Sequence, residues 1–250
     1  MSEEFPRLAH APIVEAVIEI RASAEAPLEE AVILERLKSR LPDYPASRSQ
    51  QSIQLEFKVE PGKTPEQTIH NLGWRGLRFE SADRLHIAQF NRDLFSFSRL
   101  RPYDRWNQFS AEALRLWQIY SELAQPIVVQ RLGLRFINRM AVPSEGRLED
   151  YMQVPPQTPR GLDIPFANFL HHDTVVVPGH PYAINVIKTV QLPQVPGNES
   201  AALILDIDAY TTQPFEQSED VLKTRLAEMR WLKNKAFFGS ITQQVLKDFQ

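Results

Sequence analysis

The sequence predicts an α+β fold: a largely antiparallel sheet, curved or split in two, with helices packed on one side and a long C-terminal helix. Three observations predict it. Short stretches with period-two alternation recur along the chain, and turn residues rather than long crossovers separate most of them. Two stretches of helical periodicity are inserted among these strands. A third begins at Ser218 and is long enough to cover much of a sheet.

The elements follow in order. Ile13–Ala22 alternates, with Ala16, Ile18 and Ile20 on one face and Glu15, Val17, Glu19 and Arg21 on the other. Pro27, Glu29 and Glu30 suit the start of a helix, and Ala31, Leu34, Leu37 and Leu41 give it an apolar stripe before Pro42. Ile53–Val59 reads as a strand, Pro61-Gly62 as a turn, and 60–73 as a loop or short helical segment. Leu77–Leu100 reads as two or three antiparallel strands, with turns at Ser81-Ala82-Asp83 and Asn91-Arg92-Asp93. Residues 102–109 read as a junction loop, and Ser110 as the cap of a helix to about Ala124. The strand Val128–Val142 follows.

Composition then shifts. Pro143, Pro155, Pro156, Pro159 and Pro165 punctuate 143–165, with a short helix at Leu148–Met152. This is a candidate boundary between a 1–142 β-α-β-β-β-α-β unit and a 143–250 β-β-β-α unit, or a crossover within one domain. A hairpin is expected from Asp173–Val177 and Tyr182–Leu192, a loop at Pro193–Gly197, and a strand at Ala201–Thr211. The last helix carries Leu222, Leu226, Met229, Leu232 and Ala236 at helical spacing and breaks at Gly239-Ser240.

Charge is uneven. The net charge is −3, which does not suit a protein built to wrap nucleic acid. Residues 1–142 nevertheless carry a net +1, and 16 of their 19 basic residues are Arg, the side chain whose planar fork fits carboxylate and phosphate. The absence of cysteine excludes disulfides, Cys-ligated metals and a thiol nucleophile. Met1–Arg7 has no apolar core, and no apolar run approaches the ~20 residues of a membrane span. The expectation is a cytoplasmic protein with no membrane association. No Gly-x-Ser-x-Gly, P-loop or dinucleotide fingerprint is present.

The stretch Arg131–Met140 carries the strongest functional signal. Leu132, Leu134, Phe136, Asn138 and Met140 share one face; Arg131, Gly133, Arg135, Ile137 and Arg139 share the other. Three guanidinium groups in a row need solvent, carboxylates or an anionic ligand. With Glu15, Glu19 and Arg21 on another strand, they form either cross-strand ion pairs or a groove for an anionic ligand or acidic protein partner. Asp206 and Asp208 point to one side of a third strand. With Glu19 they suit a divalent cation, which gives the alternative of a metal-dependent phosphohydrolase acting on a nucleotide or polyphosphate. That pattern resembles triphosphate-tunnel enzymes, but their Glu-x-Glu-x-Lys is here only Glu19-x-Arg21.

In the loop 102–109, Tyr103, Arg105, Trp106 and Phe109 either form a recognition surface, stack single-stranded bases, or plug the end of the sheet. His171, His172, Asp173 and His180 lack the spacing of a metal site if they lie on a strand. No cofactor or metal is expected, and no heptad pattern specifies self-association, although a homo-oligomer suits the aromatic content.

Four stretches together carry a resemblance: Ala11–Arg21, Pro102-Tyr103 with Trp106, Arg131–Arg139, and Leu205–Asp208. In that order, over nearly the full length, the chain resembles a sporadically distributed bacterial family of uncharacterised proteins of about this size. The resemblance implies a single conserved unit of unknown activity and carries over no catalytic residues. The reading that follows is a non-enzymatic binding module, with Arg131, Arg135, Arg139, Glu15, Glu19, Arg21, Tyr103 and Trp106 as its site residues.

Overall fold

In the computed structural model, residues 3–26, 28–58, 66–103, 105–143, 146–162, 168–192 and 201–250 are described. The expectations for Pro27, Pro61-Gly62, Pro165 and Pro193–Gly197 lie outside these residues. The chain forms β1 (Ile13–Arg21), α1 (Glu30–Arg40), β2 (Ala46–Lys58), β3 (Glu66–Glu80), β4 (His86–Asn91), β5 (Leu94–Leu100) and α2 (Trp106–Ala124). It continues with β6 (Val128–Val129), β7 (Arg131–Val142), α3 (Leu148–Tyr151), β8 (Leu170–Val176), β9 (Ala183–Gln191) and β10 (Ala201–Thr211). β11 (Phe215–Glu216), α4 (Glu219–Ser240) and α5 (Gln243–Lys247) complete it.

Nine strands make one antiparallel sheet in the order β2-β3-β4-β5-β1-β7-β10-β9-β8, and β6 pairs separately with β11. The fold is α+β. Strand β1 occupies the middle because both of its neighbours match its alternation. Ile18 stands opposite Phe97 of β5 and Leu134 of β7, so three apolar side chains line up on one face. The pairing β7–β10 joins the two halves of the sequence in one sheet without a break at residue 142.

The helices cover a single face. Phe95 and Phe97 of β5 meet α2 through Trp117, Tyr120 and Phe109. Helix α4 packs over β10, β7 and β9, and α1 over β3 and α2. The core between sheet and helices holds Ile18, Ile20, Phe79, Phe95, Leu132 and Leu134, all essentially inaccessible to solvent. The Tyr120 hydroxyl, buried in that layer, donates to the Asn91 carbonyl at 2.9 Å. No helix among the described residues is long and apolar enough to cross a membrane.

Three local expectations need correction. The segment 66–73 is strand, and β2 starts at Ala46 rather than Ile53. These two stretches pair with each other from Ala46–Glu80 to Lys58–Glu66, and that ladder outweighs the polar composition of Ser47–Ser52. Beyond Gly76 the ribbon loses its contact with β4, and its outer part exposes Ile53, Leu55, Phe57 and Ile69. Helix α2 starts at Trp106, so Ser110 lies inside it and is not its cap. Trp106 and Phe109 extend the stripe of Ala113, Leu116 and Tyr120 by one turn, and the core holds that turn helical.

A part-buried polar bridge ties Tyr44, shortly after α1, to α2. The Tyr44 hydroxyl donates to Glu112 Oε1 at 2.7 Å, and Arg115 donates to both oxygens of that carboxylate. Burial pushes the Glu112 carboxyl up, but the Arg115 and Tyr44 hydrogen bonds outweigh it and hold the group below its usual range. Tyr44→Phe should therefore cost about 1–2 kcal/mol in urea unfolding at neutral pH, the worth of a hydrogen bond to a charged acceptor. A change within a few tenths of a kcal/mol would mean that the bridge contributes nothing net.

Candidate functional site

The uncovered face of the sheet carries the arginines. Register places Glu19 opposite Gly133 and Gly133 opposite Tyr210, while Val17, Arg135 and Asp208 share the next row. Arg131 lies back across Gly133. A Cβ at Gly133 would sit 2.5 Å from Arg131 Nη1, so the bare backbone there is what lets the guanidinium lie flat. From that position Arg131 donates to Glu19 Oε1 at 2.7 Å and to Asp208 Oδ2 at 2.8 Å, with its guanidinium 5.0 Å from the Tyr210 ring. Arg135 forms a fork with both oxygens of Asp206, one of them at 2.8 Å. Arg21 reaches Glu19 at 3.0 Å. Arg139 meets only Gln191, at 3.5 Å, among the described residues.

The carboxylates and guanidiniums of β1, β7 and β10 therefore share one side of the sheet. They also satisfy one another. Burial raises the Asp208 carboxyl above its usual range despite Arg131 and Arg135, whereas the Asp206 fork raises Arg135 further. Glu15 stands in the row of Ile137 and Asp206 without an ion pair among the described residues. His171 and His172 both lie in β8, on opposite faces, and His171 contacts Asp173 at 3.1 Å. No group of three or more metal-ligating side chains occurs among the described residues.

Tyr103 and Trp106 belong to a different place. They line a cavity of about 330 Å³ on the helix-covered side. Its walls are the segment from Phe5 to Ile13, Tyr103, Arg105 and the first residues of α2 (Trp106 and Asn107), Phe136 and Asn138 of β7, and the last part of α4. Residues distant in sequence thus meet here: Ala11-Pro12-Ile13, Tyr103 with Trp106, and Phe136 with Asn138.

Local chemistry builds this cavity. The N-terminal segment is strapped onto α4. The Trp231 indole donates to the Glu3 carbonyl at 3.0 Å, Lys235 pairs with the Glu3 carboxylate at 2.6 Å, and Phe5 stacks on Phe238 at 5.3 Å. The β1–β7 register shifts between Ile13 and Glu15, an irregularity that turns the chain at the cavity rim. Tyr103 packs edge-on against Phe136, with ring centroids 5.5 Å apart. Asn138 interrupts the apolar face of β7 and is almost wholly buried. Its amide nitrogen donates to the Leu205 carbonyl at 2.9 Å.

Arg7, Arg105, Arg230 and Lys233 line the cavity, and no carboxylate does so among the described residues. The Arg230 guanidinium sits 5.3 Å from the Trp106 ring, and the Lys233 ammonium 4.1 Å from the Phe136 ring. Neither has a carboxylate or hydrogen-bond partner among the described residues. Burial, and then the neighbouring Arg230, push the Lys233 amine down to about 7.

Sequence reasoning passed over Lys233, Arg230 and Arg7. A signal existed for Lys233. It stands four residues after Met229 and seven after Leu226, on the stripe that faces the sheet, where a lysine is out of place. The chain matches no family model, and no curated protein matches it.

Proposed function

We propose that this protein is a binding module for a small organic anion, held in the cavity between the N-terminal segment, the side chains of Tyr103 and Trp106, and α4. One observation carries the reading: four cationic side chains converge on an aromatic-walled cavity with no carboxylate to balance them among the described residues. Arg7, Arg105 and Arg230 are solvent-exposed and Lys233 is partly buried, and together their like charge raises the local concentration of anions. The apolar walls of Phe136, Trp106 and Phe237 favour an anion with an organic body over a bare ion.

The arginines of the open sheet face support this reading less well as ligand contacts. Arg131 and Arg135 are already committed to Glu19, Asp208 and Asp206. A phosphohydrolase built on those same carboxylates would first have to release them from the guanidiniums.

The test is a thermal-shift and calorimetric screen of carboxylates, organic phosphates and inorganic phosphate on the full chain. A ligand at a hundred times its dissociation constant adds about 2.7 kcal/mol of stability. Arg230→Ala should weaken binding at least tenfold, whereas Arg135→Ala should leave it unchanged. Loss of binding in Arg135→Ala with full binding in Arg230→Ala would move the site to the open sheet face.

A further inference from the structure

A cation that only neutralises an anion serves best as a permanent charge, which Arg supplies. The cavity already holds three arginines, yet its innermost cation, resting on Phe136 against β7, is a lysine. A lysine that loses its proton becomes a nucleophile, and an arginine does not.

Lys233 is placed for that role. Its amine faces the Phe136 ring and the cavity, with no carboxylate to hold its proton among the described residues. Among the described residues, the charged groups that line the cavity with it are all cationic: Arg230 on its own helix, Arg7 from the N-terminal segment and Arg105 ahead of α2. Strand β7 contributes Phe136 and Asn138, neither of which titrates. Arg230 therefore favours the neutral amine, in the same direction as burial. Lys235, two residues further along α4, is the internal contrast: it is solvent-exposed and paired with Glu3.

Arg230 sets the ligand chemistry. It precedes Lys233 by three residues on α4, so the two side chains are neighbours on one helix face, roughly 5–6 Å apart at Cβ. Its guanidinium is held against Trp106. A carboxylate forked on Arg230 would present the adjoining carbon to Lys233. We infer that Lys233 captures a 2-oxo acid, or another anion with a carbonyl next to its carboxylate, as a Schiff base. This inference rests on the anion-binding reading of the same cavity.

The step balances without a redox partner. The neutral amine nitrogen attacks the carbonyl carbon, the C–N bond forms, and the carbonyl oxygen takes a proton to give a carbinolamine. The nitrogen gives up its remaining proton, the hydroxyl leaves as water, and a C=N bond replaces the C=O bond. No electron is gained or lost. The imine nitrogen can then carry a proton against the ligand carboxylate.

The experiment incubates the full chain with pyruvate or glyoxylate and cyanoborohydride, followed by peptide mass mapping. Calorimetry with lactate, which lacks the carbonyl, runs in parallel. The expected result is one reduced adduct, on Lys233 and not on Lys235, with a trapping rate that rises through pH 7 to a plateau. Lys233→Arg should abolish the adduct, whereas Lys235→Arg should leave both the adduct and lactate binding unchanged. Lactate binding with no adduct, or with adducts spread over surface lysines, overturns the Schiff base and leaves the anion site standing. No binding of any anion and no adduct overturns both. A trapping rate that keeps rising towards pH 10 shows an ordinary lysine and overturns the inference.

Discussion

Lys233→Met is expected to stabilise the unliganded protein by about 2–3 kcal/mol near pH 6.5 while weakening anion binding. The sign follows from proton linkage. In the unfolded chain the amine titrates near its ordinary value, whereas burial and Arg230 hold it to about 7 in the fold. Between those two values the unfolded chain binds the additional proton, so stability rises with pH across that window. Below about pH 7 the full penalty is present; above about pH 10.5 it is gone. Each pK unit corresponds to about 1.4 kcal/mol, and the residual exposure of the side chain reduces the total to the smaller figure given. Methionine fills the same space beside Phe136 without a charge to desolvate. Urea unfolding of both proteins at pH 6.5 and 9.5 checks this through the difference between them, which should shrink at the higher pH. A methionine variant that is less stable at both pH values would make Lys233 a structural side chain. A stabilised variant that no longer binds anion would show a residue retained at a cost to stability, as functional sites often require.

The sheet was legible because its determinants are local. The two-residue period in Ile13–Arg21, Arg131–Val142 and Ala201–Thr211 assigns each side chain to a face, and the turns at Ser81–Asp83 and Asn91–Asp93 define the hairpins between β3, β4 and β5. The strand through Ser47–Ser52 was not legible. Its hydrogen-bonding partner, and not its own composition, makes it a strand. The candidate site divides the same way. That Arg131, Arg135, Asp206 and Asp208 share a face follows from parity alone. Which carboxylate each arginine meets depends on register between strands some 70 residues apart in sequence, and no local pattern encodes it. The cavity is further from reach, because it joins the ends of four separate segments. Of its lining, Tyr103 and Trp106 stood among the expected site residues, while two anomalies went unread: Asn138 on an apolar strand face and Lys233 on an apolar helix stripe. Each breaks a local rule, as residues at functional sites commonly do.

Arg131→Met should destabilise the protein by about 2–3 kcal/mol at neutral pH, the largest loss expected from any single arginine of the open face. Arg131 bridges two carboxylates from different strands, Glu19 of β1 and Asp208 of β10, and so ties the centre of the sheet to its second half. Its removal leaves both acids without that partner. A fully buried orphan charge costs about 3–5 kcal/mol. Here the carboxylate side chains keep 26% and 19% of their surface exposed, so water recovers part of the loss. The pH dependence separates this account from simple loss of packing. Burial already raises Asp208, and without Arg131 its folded value rises further. The variant's deficit should then be largest above that value and fade as pH falls and Asp208 takes its proton. A packing defect would not respond to acid in this way. Asp208→Asn in the same background should restore part of the stability, because it removes the unpaired charge that Arg131→Met created. Arg139→Met, whose arginine meets only Gln191 among the described residues, should change stability by no more than about 0.5 kcal/mol. Equal losses from Arg131→Met and Arg139→Met would mean that the ion-pair ladder contributes no more than solvated charge. The open face would then again be a candidate surface for an anionic partner.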